Sequence, residues 1–218
     1  MKNHSIASLV IFAAIVVLIP GCAKPQPTPE MPQPASEKQQ PTAEKLRPLS
    51  EINLDKAVVT PADLTFGGDY KVSEWQSRQC ESTAWSTKDG WGVPETEYVV
   101  KFVEECWSYS GKDIKIDESI YVLGSTRQAL RLAESIRSDR SSFLSMMGTK
   151  SEKTLEIGES SLWTGQGEIV PLQFSYVAMA VDEAVIFFNI NGSSRFIERD
   201  LTDLATGATS RLRDAQKQ

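Results

Sequence analysis

Apolar residues run without a charge from Ile6 to Ile19, fourteen positions. That length suits the core of a secretion signal, about 7–15 residues, and falls short of the about 20 that a membrane-spanning helix needs. The pattern then inverts. From Ala23 to Pro48 apolar side chains are sparse, and seven of the chain's eleven prolines sit among Gln, Glu, Lys, Ser and Thr. Such a stretch has too little apolar surface to offset its ordering entropy. It is expected to stay unfolded and to favour extended polyproline II, reaching roughly 80 Å at about 3.1 Å per residue. From residue 51 onward apolar and polar positions mix as in a folded domain. The chain therefore divides into 1–21, a signal; 22–50, a linker; and 51–218, one globular domain.

Within that domain the periodicity changes from place to place. Thr60-Pro61-Ala62-Asp63 reads as a helix start, with Thr60 as cap and Pro61 in the first turn. Phe66-Gly67-Gly68 stops it. Tyr70 to Cys80 is a weak strand, and Ser82 to Glu95 reads as a long loop. Tyr98 to Tyr109 alternates like a strand, placing Tyr98, Val100, Phe102 and Cys106 on one face. Ile114 to Leu123 follows after a short turn, with Ile114, Ile116, Ile120 and Val122 sharing a face, so the two form a hairpin. Ser125-Thr-Arg-Gln128 matches a capping box. It opens a helix whose stripe is Ala129, Ala133, Ile136, Arg140 and Phe143, broadened by Leu130 and Leu132. Gly148 is its expected stop. A short strand spans Thr154 to Trp163, and Gly165-Gln166-Gly167 reads as a turn. Ile169 to Val181 and Ala184 to Asn191 form a second hairpin around Asp182-Glu183. Asn191-Gly192 signals another turn. Asp200 caps a last helix with Leu201, Leu204, Ala205, Ala208 and Leu212 on one face, interrupted by Gly207.

Hairpins followed by single helices, rather than alternating strand–helix units, predict an α+β domain. The expected architecture is an antiparallel sheet of about five to six strands with two main helices packed on it. This element order resembles the small α+β sandwich of PsbP-like envelope lipoprotein domains. That resemblance implies a fold and carries over no functional residue.

The end of the signal is more specific. Ile19-Pro20-Gly21-Cys22 resembles the lipobox of prokaryotic lipoproteins, with an aliphatic residue three before the cysteine and a glycine just before it. The resemblance implies lipidation of Cys22 on sulfur and cleavage that makes it the new N-terminus. Two or more acyl chains on such a residue, palmitate among them, anchor a protein stably where one does not. The expected location is an outer membrane or cell surface, with Ala23 after the cysteine leaning toward outer-leaflet sorting.

Export changes how the other cysteines read. Cys80 and Cys106 are an even pair in an oxidising compartment and are expected to form a disulfide. Charge narrows the partners. Residues 51–218 hold 18 Lys and Arg against 26 Asp and Glu. An acidic globule argues against nucleic acid and against anionic headgroups.

Catalytic chemistry is then weighed by what is missing. The sole histidine, His4, leaves with the signal. Histidine-based triads and histidine-ligated metal sites go with it. Gly158-Glu159-Ser160-Ser161-Leu162 fails the last position of a nucleophile elbow, no Ser-x-x-Lys occurs, and no phosphate-cradling glycine loop is present. No cofactor, metal or catalytic residue is assigned. Glu104-Glu105 and Asp117-Glu118 remain as carboxylate pairs that could meet across the hairpin, although a solvated sheet face accounts for them equally.

Aromatic residues offer the other candidate. Trp75, Trp85, Trp91 and Trp107, with Tyr109, cluster in sequence around the expected disulfide. They either pack over it as a satellite core or form an exposed platform for a sugar or peptide. The chain is thus read as a non-enzymatic, lipid-anchored envelope protein that binds or scaffolds another envelope protein or glycan. A solute- or glycan-binding module using the tryptophan loop is the alternative, and a carboxylate hydrolase ranks last.

Overall fold

The computed structural model describes residues 46–80, 97–146, 151–157, 160–169, 172–192, 196 and 198–218. Readings of the signal, Cys22, the proline-rich linker up to residue 45, Trp85, Trp91 and Gly148 fall outside these residues. Among the described residues, the elements are β1 Trp75–Ser77, β2 Val99–Tyr109, β3 Ile114–Leu123, α1 Thr126–Met146, β4 Ser151–Ile157, β5 Ser160–Ile169, β6 Leu172–Val181, β7 Ala184–Gly192 and α2 Glu198–Lys217. The strands make one sheet in the order β1-β2-β3-β7-β6-β5-β4. Every pairing is antiparallel. The α+β architecture is as the hydrophobic pattern predicts, with one more strand than the upper expectation.

The extra strand comes from the stretch 154–163. It is not one strand but the end of β4 and the start of β5, paired from Ile157↔Ser160 to Ser151↔Gln166. The turn expected at Gly165-Gln166-Gly167 is likewise absent. All three residues lie in the β5 ladder, opposite Tyr176, Ser175 and Phe174. Turn-type residues here serve a strand, because pairing on both sides outweighs their weak local preference.

Two cores sandwich the sheet. On one face α1 packs Ala129, Leu132, Ala133 and Ile136 against Tyr121, Ala178, Val185 and Phe187. The cap half of its capping box forms, with Gln128 N–H donating to Ser125 Oγ at 3.4 Å, while the Gln128 side chain accepts from the Ser125 hydroxyl at 3.1 Å. Leu130, expected in the stripe, is 45% exposed. Arg140 is buried beneath the helix, its guanidinium 5.7 Å from the Phe187 ring centre. On the other face α2 packs Leu201, Leu204, Ala205, Ala208 and Leu212 against Ile116, Ile120, Val177, Ile186 and Phe188. The helix begins at Glu198, so Asp200 lies in its first turn rather than capping it. An acid there still faces the positive end of the helix dipole.

Gly207 is the one weak residue in that helix. A Cβ at this position would meet Asp63 Cβ at 3.8 Å, an ordinary contact. Gly207→Ala is therefore expected to stabilise the domain by about 0.5–1 kcal/mol through the lower backbone entropy of the unfolded chain. A thermal melt that moves down would show that the helix needs the glycine.

The folded part starts earlier than residue 51. Leu49 is 2% exposed, and Arg47 N–H donates to Gln216 O at 3.0 Å. Residues 46–63 form a strap laid across the α2 face, burying Leu49, Ile52, Leu54, Ala57 and Val59. Beyond it, the helix expected from Thr60 and Pro61 is reduced to a 3₁₀ stretch, Asp63–Gly68. Asp63 Oδ2 accepts from Thr60 N–H at 2.7 Å and from Thr60 Oγ at 2.9 Å, which turns the chain before a helix can extend. Phe66 then sits at φ 45°, in the left-handed region that few side chains adopt. Its ring is held there by packing, with centroids 4.9 Å from Phe196 and 5.4 Å from Tyr70.

Asn191-Gly192, expected to turn, instead ends β7. Gly192 pairs with Ile114 on one side and Gln173 on the other. A Cβ there would lie 2.5 Å from Asp113 O, so close backbone approach requires glycine.

Candidate functional site

A groove of about 690 Å³ lies at one end of the sheet. The strap residues 46–50 form one wall. The Asp182-Glu183 turn and the end of α2, with Arg213 and Gln216, form the other. Val100, Val122 and Leu123 make an apolar floor. The Arg213 guanidinium pairs with Asp182, and Gln216 Nε2 donates to Arg47 O at 3.2 Å, so the polar rim is braced. Asp182 has φ 51°, the left-handed conformation that lets a two-residue turn close the β6–β7 hairpin.

A local irregularity exposes one residue of that floor, Val100, while Val122 and Leu123 stay buried. Val99 pairs with Leu123 and Lys101 with Val122, leaving Val100 as an extra residue in β2. This bulge inverts the face read from alternation. Val99 turns inward and is 7% exposed, while Val100 and Tyr98 are 59% and 51% exposed. The expected grouping of Tyr98, Val100, Phe102 and Cys106 on one face is therefore broken at the bulge. Bulges commonly re-aim side chains at functional surfaces. Leu46, also on the groove, adds to the exposed apolar surface.

The carboxylates are placed less simply than a solvated face. Glu105 stands directly opposite Glu118, and Cys106 opposite Asp117. Glu118 faces the α2 core and is fully buried, which corrects the solvated reading for this residue. Its Oε2 accepts from Val59 N–H at 2.7 Å, and its Oε1 is buried with no hydrogen-bond partner. Burial pushes its carboxyl up to about 8; the Val59 hydrogen bond opposes this, and the nearby Asp63 and Glu105 charges add to it. Asp63 behaves oppositely. Burial raises it, but hydrogen bonds from Arg211 and Thr60 outweigh that and hold it below the usual range. On the other face Asp117 is ion-paired with Arg78. With no solvent path to Glu118, the Glu105–Glu118 pair is not arranged to meet a substrate.

The expected disulfide between Cys80 and Cys106 is present, with Cα atoms 5.3 Å apart. Cys106 is 1% exposed. Trp75, Trp107 and Tyr109 do not pack over it. Trp107 stands beside Cys106 in β2, so it points to the opposite face, where it joins Trp75 and Tyr109 in the α2-side core. Trp75 is 5% and Tyr109 8% exposed, their ring centroids 5.0 Å apart. Trp75 Nε1 donates to Leu64 O at 2.9 Å. The platform reading is thus corrected for Trp75 and Tyr109, which are core residues. Trp107 is half-buried against the same core.

A second polar cluster lies under α1, unforeseen in the sequence. Tyr176 Oη donates to Glu152 Oε1 at 2.6 Å, and Ser141 Oγ donates to Glu152 Oε2 at 3.1 Å. Burial and the Glu152 contact hold the Tyr176 phenol protonated far above its usual range. Burial lowers the neighbouring Arg140 to about 10. This cluster ties the edge strand β4 to α1 and β6.

No family model matches the chain, and no curated protein matches it. Among solved structures it is similar to the extracellular domain of PknH from Mycobacterium tuberculosis, with a TM-score of 0.53 and 6% identity. The match covers 78% of this chain and 99% of that one. At that identity the similarity is one of fold. Among the described residues, no helix is long and apolar enough to cross a membrane.

Proposed function

We propose that this chain is an exported lipoprotein, held at a membrane through Cys22, whose folded domain binds another envelope protein through the groove beside Val100. The observation that carries the binding reading is the bulge in β2. It exposes an apolar side chain over an apolar floor and surrounds it with a braced polar rim, the usual make-up of a recognition site. No catalytic step is assigned to the groove. The anchor reading rests on Ile19-Pro20-Gly21-Cys22, and a linker from 23 to 45 would give the groove reach from the bilayer. The burial of Trp75 and Tyr109 leaves the groove as the better-supported surface.

Two experiments test the parts separately. Cys22→Ser should release the protein from membranes into the soluble fraction. Retention through high-salt and carbonate washes would end the lipid-anchor reading. A photo-crosslinking residue at position 100 should yield a discrete protein adduct in the intact envelope, and Val100→Asp should weaken that partner's binding at least tenfold, about 1.4 kcal/mol. Crosslinking from position 100 to lipid alone, with no protein adduct, would overturn the binding reading.

A further inference from the structure

The strap, residues 46–63, is tied to α2 by Arg211, which holds Asp63 and Thr60, and near the C-terminal end by Lys56, whose Nζ donates to Gln218 Oε1 at 2.7 Å; three further fastenings run along it. At its start, Arg47 and Gln216 exchange hydrogen bonds of 3.0 and 3.2 Å. In its middle, Lys101 Nζ donates to Ser50 O at 3.0 Å and to Ile52 O at 2.6 Å. Near its end, Val59 N–H donates to Glu118 at 2.7 Å inside the core. The first two fastenings are at the protein's rim. The third is a single hydrogen bond to a fully buried acid whose other oxygen has no partner.

The surroundings of Glu118 decide what its ionisation would do. From β2, Glu105 lies directly across the ladder. From the strap, Asp63 brings a second acid. From α2, the Arg211 guanidinium is occupied by Asp63 and by Thr60 Oγ, at 2.8 Å from the latter. From β7, Phe188 faces Glu118, and that strand carries no charged residue. A negative Glu118 would stand buried between two acids, with the nearby Arg211 engaged by one of them. Burying an uncompensated charge costs far more than losing one rim hydrogen bond.

We infer that the strap is a proton-dependent latch: Glu118 in its neutral form lets residues 46–63 lie on the sheet, and loss of its proton drives them off. Opening would hydrate Glu118, remove it from Asp63 and expose Leu49, Ile52, Leu54 and Val59. The latch does not require the groove to bind anything, although the strap supplies one of the groove's walls.

The sign follows from linkage. With the strap closed, Glu118 holds its proton to about 8; with the strap open and the group solvated, it releases it near 4.5. Between those values the closed form carries a proton that the open form has lost, so rising pH favours opening, by about tenfold per pH unit. Asp63, held low by Arg211, is already ionised across this window and leaves the slope unchanged.

Amide hydrogen exchange on the full chain, corrected for the intrinsic rate at each pH, tests the latch. Between about pH 5 and 8, the opening constant of the peptide containing Val59 should rise by two to three orders of magnitude and then level off. Strands β6 and β7, which open only with the whole domain, should remain more protected than the strap at every pH. Glu118→Gln should flatten the strap's profile, and Glu118→Leu serves if the first variant fails to fold. A pH-independent strap in the wild type would overturn the latch. So would equal protection of the strap and of β6–β7 at every pH, which would mean that the strap opens only by global unfolding, or an unchanged slope in a folded variant. The wild-type profile alone is decisive if neither variant folds.

Discussion

Raising the pH from 5 to 9 is expected to lower the unfolding free energy of this domain by on the order of 4 kcal/mol. The cause is Glu118, whose folded-state carboxyl is raised from 4.5 to about 8. A raised acid contributes with the opposite sign from the usual ion-paired carboxylate. Below the unfolded value both states are protonated and nothing is lost. Between 4.5 and about 8 the unfolded chain has released a proton that the folded domain still holds, so each step up in pH favours unfolding. Above about 8 the folded group ionises too, and the decline stops. Urea denaturation at pH 5, 7 and 9 checks this. The wild type should lose stability monotonically across the series, and Glu118→Gln should remove most of the slope. Its absolute stability is a separate matter, because the amide adds a buried donor that needs a partner, at a cost of about 1–3 kcal/mol. A wild-type profile that is flat, or that rises with pH, would refute the burial argument for this residue.

Glu118 also shows what was legible in the sequence. The alternation Ile114, Ile116, Ile120, Val122 was readable, and all four side chains are buried on one face. The same period places Glu118 on that face, between Ile116 and Ile120. A charged residue inside an apolar stripe was the available signal, and pairing it by sequence with Asp117 hid it. The α2 stripe, the Ser125 cap and the Asp182-Glu183 hairpin were legible because each depends on residues a few positions apart. The groove was not. It depends on a bulge at Val100, and Tyr98-Val-Val100 is apolar on both parities, so no one-dimensional pattern marks which residue is extra. The strap was missed for a related reason: Leu49 and Ile52 are buried by partners from α2 and β3, far along the chain. Trp75 and Trp107 misled because nearness in sequence was taken for nearness in space. Trp107 and Cys106 are neighbours in β2 and therefore point to opposite faces.

Replacing both Cys80 and Cys106 with alanine is expected to lower the stability of the domain by about 3–4 kcal/mol. The two residues are 26 apart in sequence, and opening that loop enlarges the unfolded ensemble. On a domain of this size the loss corresponds to a melting temperature lower by roughly 10 °C. Reduction of the wild type should give a similar loss, since both treatments free the same loop. The folded state has a further stake in the bond. It joins the chain just beyond the three-residue edge strand β1 to the middle of β2. That short strand also delivers Trp75 to the core, where Phe66, Tyr70 and Tyr109 surround it. If those ring contacts alone hold β1, exchange protection of residues 75–77 will survive reduction while global stability falls, as an unfolded-state effect requires. If protection there collapses first, the disulfide acts on the folded edge, and the chain-entropy estimate does not describe it. The pH slope set by Glu118 is a property of proton binding in the folded core. It should remain the same with the bond open or closed, and a changed slope would mean that the bond also shapes the core around Glu118.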